Sequence, residues 1–86
     1  MARLPPDEVL DATGMMCPQP VFEARLRLDA MRPGEVLEIR ADDPLAELDL
    51  KVFCQRTGHA FLESRAEATH RVVLIRRHNA AGAPDD

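Results

Sequence analysis

Cys17 stands between a glycine and two prolines in the run Gly14-Met15-Met16-Cys17-Pro18-Gln19-Pro20. A thiol can serve as nucleophile, metal ligand or redox centre, and the thiolate is the nucleophile and the metal ligand. Proline fits the first turn of a helix, where backbone N–H groups lack partners, and not a helix interior. Pro18 and Pro20 therefore mark a helix start, with Cys17 expected as its cap and Pro18 in its first turn. Free N–H groups and the positive end of the helix dipole would then face the sulfur and favour its ionised form. Such a thiolate can attack the outer sulfur of a persulfide and carry it, a thiol-exchange step that needs no general base. The structural alternative is that Cys17 is a small buried hydrophobe.

The other reactive side chains are weaker candidates. No Cys-x-x-Cys pair is present, so a thioredoxin-type dithiol is not supported. Cys17 and Cys54 lie far apart without clustered histidines, which makes no zinc site, and no metal or other cofactor is expected. On helical spacing Cys54 falls on the side of Leu50, where a packing role is the main reading. Resolution of a Cys17 persulfide as a Cys17–Cys54 disulfide is the sharper one. His59, His70 and His78 are all distant from Cys17 in sequence, and a chain this small offers little cleft for a Cys–His hydrolase. His59 follows Gly58 and reads as a structural residue at a helix end. Asp42-Asp43-Pro44 reads as the cap of a second helix. Asp11 either shapes the turn before Cys17 or hydrogen-bonds the loop ahead of the helix.

These residues need elements to hold them. Glu8–Ala12 is a short strand candidate that Thr13-Gly14 breaks. Val21, Ala24, Leu28 and Met31 form one helical stripe, ended by Arg32-Pro33-Gly34. Phe22 and Leu26 lie off that stripe and read as packing on the sheet rim rather than as a docking patch. Glu35–Ala41 alternates, with Leu37, Ile39 and Ala41 on one face and Glu38 and Arg40 on the other. Leu45, Leu48 and Val52 give a second helical stripe, with Gly58 as its stop. Ala60–Ser64 and Arg71–Arg77 complete the set, joined by a hairpin loop. The unbroken Val72-Val73-Leu74-Ile75 run predicts a strand that is central or buried on both faces.

The order βαβαββ predicts parallel pairing across the first crossover and an antiparallel final pair. The expected fold is an α/β two-layer sandwich, a mixed four-stranded sheet with two helices on one face. One domain over 8–78 is expected, with flexible termini at 1–7 and 79–86.

Composition narrows the function. A chain of 86 residues makes one small domain, so its chemistry is expected at the surface, with other proteins supplying the rest. Ten arginines and one lysine are scattered among fifteen acids, and the net charge is −4. With no basic block, no Trp and no Tyr, direct nucleic-acid binding is disfavoured. No apolar run is long enough for a signal peptide or a membrane span, so a cytoplasmic protein without a membrane partner is expected. In a reducing compartment two cysteines do not imply a structural disulfide.

The run Asp11-Ala12-Thr13-Gly14-Met15-Met16-Cys17-Pro18-Gln19-Pro20-Val21 resembles the Cys-Pro-x-Pro signature of the TusA/SirA family of small sulfur carriers. The resemblance continues through Met31-Arg32-Pro33-Gly34-Glu35, Ala41-Asp42-Asp43-Pro44, Phe53-Cys54, Gly58-His59 and the strand around Val73 to Arg76. It implies that Cys17 receives sulfur from a cysteine desulfurase or another sulfurtransferase. It also implies relay to an acceptor protein, in tRNA 2-thiolation, molybdenum cofactor assembly or sulfur oxidation. Gly14, Pro18, Pro20 and Asp11 would be its supporting motif residues, and Cys54 matches a second family cysteine of unassigned role. The family often has Arg-Asp-Ile-Pro where this chain has Leu48-Asp49-Leu50-Lys51, and a polar residue where it has Met16. Two other classes compete: a thiol-based redox or regulatory module in which Cys17 is oxidised, and an interaction domain in which Cys17 is structural.

Overall fold

The structure, a computed structural model, describes residues 5–78. Of the termini expected to be flexible, 1–7 and 79–86, residues 1–4 and 79–86 lie outside the described residues, while Asp7 exchanges hydrogen bonds with Val36, its N–H donating to the carbonyl and its carboxylate accepting from the Val36 N–H. The elements are β1 (Glu8–Asp11), α1 (Gln19–Ala30), β2 (Val36–Ala41), α2 (Ala46–Thr57), β3 (Ala60–Ala66) and β4 (Arg71–Arg76). The order is the βαβαββ read from the sequence.

Alternation in β2 dictates the layer arrangement. Leu37, Ile39 and Ala41 are buried and share one core with Val73 and Ile75 of β4. Ala24 and Leu28 of α1 and Leu50 and Phe53 of α2 fill the same core, so both helices cover this one face. The sheet order is β1-β2-β4-β3, with β1 parallel to β2 and β4 antiparallel to both neighbours. β4 is thus central, and all of Val72, Val73, Leu74 and Ile75 are buried, as its unbroken apolar run implies. Val72 and Leu74 point away from the helices. Their cross-strand neighbours are Arg40, Glu38, Arg65 and Glu63. Arg40–Glu38 at 2.8 Å and Arg65–Glu63 at 3.1 Å pair beside them, and the arginine stems can cover apolar surface while their heads stay wet.

The α1 stripe holds: Ala24, Leu28 and Met31 are buried and Val21 packs against the core. Pro20 is buried as well. Arg77 closes the far end of this helix, donating through Nη1 to the carbonyls of Leu28 (2.6 Å), Asp29 (3.0 Å) and Met31 (2.8 Å). A cation there satisfies carbonyls that the helix leaves open.

The α2 stripe is different from the expected one. Leu45 is 56% exposed, Leu48 60% and Val52 39%. The buried face is instead Ala46, Leu50, Phe53, Cys54 and Thr57, also at helical spacing and one residue further round. Two apolar stripes run along this helix, and the longer one wins the core. Gly58 ends the helix in the left-handed region at φ 89°, where a side chain would be strained, and its N–H donates to the Cys54 carbonyl. Phe22 (60% exposed) and Leu26 (64%) are also outside, so the expected rim packing is not seen. They sit on the solvent side of α1 because Ala24 and Leu28 take the core face.

Candidate functional site

The site is built where the two helices begin. β1 and β2 are parallel, so the crossovers that leave them start at the same end of the sheet. The loop after β1 and the loop after β2 therefore lie side by side, and carboxylates of the second hold backbone of the first. Asp42 Oδ1 accepts from the Gly14 N–H at 3.0 Å, and Asp43 Oδ2 accepts from the Cys17 N–H at 2.6 Å. The other oxygen of Asp43 accepts from the Leu45 N–H at 2.9 Å, which shapes the turn into α2. The capping role read for this Asp-Asp-Pro run is thus only part of its work. Asp43 sits ahead of the cap position, which Leu45 occupies, and it fixes the Cys17 loop. These two N–H donors hold its carboxyl below the usual carboxylate range.

Asp11 shapes the preceding turn, the first of its two alternatives. Its Oδ1 accepts from the Thr13 N–H (3.1 Å) and from the Thr13 hydroxyl (2.6 Å), and these bonds lower its pKa. Gly14 has φ of 84° with open space around it, so glycine is there for its backbone and not for clearance. The chain then reaches Met15, which is partly buried against the core, and Met16, which is 75% exposed.

Cys17 is exposed, and the peptide joining it to Pro18 is cis. The residue at the α1 cap is Pro18, with Pro20 at the second helical position, so Cys17 lies one residue before the cap. The expected cap geometry is corrected accordingly, and so is the expected charge. Sγ donates a hydrogen bond to Asp49 Oδ2 in the first turn of α2. That bond raises the thiol pKa above its ordinary value, followed by desolvation and by the negative charges of Asp49 and Asp43. Contact with this carboxylate disfavours the thiolate that a helix start alone would favour. Sequence reading missed Asp49.

Cys17 separates two grooves. On one side lie Gly14, Met15, Met16, Asp42, Asp43, Pro44 and Leu45. On the other, between α1 and α2, lie Pro18, Val21, Arg25, Asp49, Val52, Phe53 and Arg56. The exposed Met16 and Leu45 add apolar surface next to the thiol.

Cys54 is buried on the Leu50 side of α2, as its helical position implies, and both cysteines are free thiols. Burial pushes the Cys54 thiol up to about 11. His59 is buried and accepts from the His78 N–H through Nδ1 at 3.1 Å, while its ring stacks on that of His78 at 4.8 Å. Among the described residues no three His, Cys, Asp or Glu side chains gather as a metal site, and no helix is long and apolar enough to cross a membrane.

The family described as Sulfurtransferase TusA matches residues 8–77, all of the sheet and both helices. The chain belongs to the TusA sulfurtransferase family. Similar relatives include the sulfur carrier protein TusA of Allochromatium vinosum, 38% identical over 83% of this chain and 93% of the relative. The sulfur carrier protein TusA of Pseudomonas paraeruginosa is 37% identical, over 85% of this chain and 92% of the relative. The putative sulfur carrier protein YrkF of Bacillus subtilis is 42% identical over 90% of this chain, which spans 45% of that longer relative. Among solved structures, a SirA-like protein from Desulfitobacterium hafniense superposes with a TM-score of 0.73 at 23% identity. That superposition covers 84% of this chain and 99% of the other, and it supports the TusA-family fold.

Proposed function

We infer that this chain is a sulfur carrier that takes sulfur as a persulfide on Cys17 from a donor such as a cysteine desulfurase and relays it to an acceptor protein. The observation that carries this reading is an exposed thiol at a groove mouth with a carboxylate in contact with its proton. Cys17 Sγ gives its proton to Asp49 and attacks the outer sulfur of the donor persulfide. An S–S bond forms to Cys17 as the donor's S–S bond breaks, and the donor cysteine leaves as a thiolate that takes the proton back. No electron is gained or lost overall. Relay to the acceptor is the same step with the roles reversed.

Asp42 and Asp43 hold the loop backbone so that Sγ is presented at a defined place, and Asp11, Gly14, Pro18 and Pro20 shape its approach. Met16 and Leu45, exposed beside Cys17, supply an apolar surface on which donor and acceptor proteins can dock. A cytoplasmic setting suits an exposed thiol that must stay reduced between transfers. The acceptor serves one of the routes the family resemblance implies: tRNA 2-thiolation, molybdenum cofactor assembly or sulfur oxidation.

The test is radiolabel transfer. Incubated with a cysteine desulfurase and ³⁵S-cysteine, the chain acquires label that a thiol reductant removes. Label that resists reduction, or none from any of several desulfurases, would sink the reading.

A further inference from the structure

Both grooves that meet at Cys17 carry carboxylates beside the sulfur. Asp49 lines the groove between α1 and α2, and Asp42 and Asp43 line the groove on the other side of the thiol. The backbone holds two of these acids in place. Asp49 sits in the first turn of α2, where its N–H donates to the Leu45 carbonyl at 3.1 Å, and its neighbour Leu50 is fully buried. Asp43 accepts from the N–H groups of Cys17 and Leu45 with its two oxygens, and those bonds keep it ionised at neutral pH. The cations of the first groove lie further along the helices. Arg56 is two turns beyond Asp49, a rise of about 10 Å, and the Arg25 guanidinium lies 5.3 Å from the centre of the Phe53 ring.

Sulfur loading changes the charge at this spot. The empty thiol is neutral and donates its proton to Asp49 in a hydrogen bond. In the loaded carrier Sγ is the inner sulfur of a persulfide and has no proton to donate. The outer sulfur is a stronger acid than a thiol, because the sulfur attached to it draws charge away, and it is an anion near neutral pH. In either groove that anion meets a carboxylate. Loading therefore breaks a charge-assisted hydrogen bond and places a negative charge among fixed negative charges.

We propose that Asp49, backed by Asp43, makes Cys17 a weak holder of sulfur, stabilising the empty carrier over the loaded one and so biasing the relay toward discharge. The inference rests on the reading of Cys17 as a persulfide acceptor and adds what sets the direction of transfer from it. An acceptor thiol without such acids draws sulfur from Cys17. The exchange is Cys17–S–S⁻ with R–SH giving Cys17–SH and R–S–S⁻. The S–S bond at Cys17 breaks, a new one forms to R, the proton of R–SH ends on Sγ, and no electron is gained or lost. Sγ then bonds Asp49 again. Exposed charged contacts of this kind shift an equilibrium by about two- to fivefold.

The experiment reads an end point, so the part Asp49 plays in the rate does not enter. Full-length wild type, labelled with ¹⁵N, is loaded from glutathione persulfide and mixed with an equal amount of empty Asp49→Ala. A converse mixture starts from loaded Asp49→Ala and empty wild type. A small amount of glutathione shuttles sulfur between the two proteins, and intact mass follows the loaded fraction of each until the two mixtures agree. Sulfur settles on Asp49→Ala over wild type by about two- to fivefold. Asp49→Asn, which can donate to the anion, gains at least as much. Asp49→Glu keeps the charge and stays closer to an even division. Added salt narrows the preference for Asp49→Ala.

An even division between wild type and Asp49→Ala, or one that favours wild type, would overturn the proposal. So would a preference that Asp49→Glu shares in full, because the carboxylate would then not be its cause. Wild type that takes no sulfur from glutathione persulfide sinks the carrier reading and this inference with it. Sulfur that loads on Cys17 and then divides evenly sinks this inference alone.

Discussion

Replacing Asp49 with Asn tests the contact at the centre of the site. In the native chain the Asp49 carboxylate accepts the Cys17 proton and its charge opposes the thiolate, and both effects raise the thiol pKa. Asparagine keeps the size and can still accept a hydrogen bond, but it removes the charge and can donate to the thiolate. The Cys17 pKa therefore falls. Each unit of fall multiplies the thiolate present near neutral pH by about ten, while the weaker base loses about threefold in nucleophilicity at a Brønsted slope of 0.4–0.5. The net gain is about threefold per unit. The assay is the rate of Cys17 alkylation by iodoacetamide from pH 6 to 11, followed by intact mass. Asp49→Asn reacts faster than wild type at pH 7. The two curves cross as pH rises, and wild type is the faster once both thiols are fully ionised. A variant that is slower at pH 7, or parallel to wild type at every pH, would refute the reasoning. Sulfur transfer behaves differently, because the proton then lacks its acceptor: Asp49→Asn alkylates faster yet does not gain in transfer.

The loop contacts and the core make separate predictions. Asp43→Ala releases the Cys17 N–H and the turn before α2, so the amide signals of Cys17 and Leu45 shift together in NMR spectra and transfer slows. Because the Asp43 pKa is lowered on folding, its stabilising contribution is complete above the ordinary aspartate range near pH 4. It fades as pH falls through the lower folded value, and the native Asp43 amide contacts should be lost over that acidic window. Leu50→Ala leaves a cavity at a fully buried position and costs about 2–5 kcal/mol in denaturant unfolding, with Cys17 alkylation by the folded fraction unchanged. Cys54→Ser puts a hydroxyl in the core and costs about 1–3 kcal/mol, while sulfur loading at Cys17 stays at the wild-type level.

Much of the fold is legible in the sequence, because its strands have clear signals. Leu37, Ile39 and Ala41 alternate with polar residues, and Val72 to Ile75 do not alternate because β4 is covered on both faces. Glycines and prolines mark the breaks. The α2 face is not legible from periodicity, because Leu45–Leu48–Val52 and Ala46–Leu50–Phe53 are both acceptable stripes. Packing against α1, β3 and β4 decides between them. The site is legible at Cys17 but not around it. Asp49, Asp43, Arg25 and Arg56 reach the thiol's surroundings from different helices and loops, and no local motif joins them. The topology contains the missing signal: two parallel strands start both crossover helices at one end of the sheet. Once that is drawn, the start of α2 lies beside the start of α1, and Asp49 of its first turn reaches Cys17. The carboxylate that opposes ionisation of Cys17 was missed for this reason, since a helix dipole can be argued from one segment and a carboxylate from another cannot.

The central claim is that one atom, Sγ of Cys17, carries the sulfur. It is tested most directly by intact mass after incubation with a cysteine desulfurase and cysteine, for wild type, Cys17→Ser and Cys54→Ser. The account predicts a gain of one sulfur, roughly 32 Da, lost on reduction, in wild type and Cys54→Ser and absent from Cys17→Ser. A gain that persists in Cys17→Ser, or that vanishes in Cys54→Ser while that variant stays folded, would contradict it.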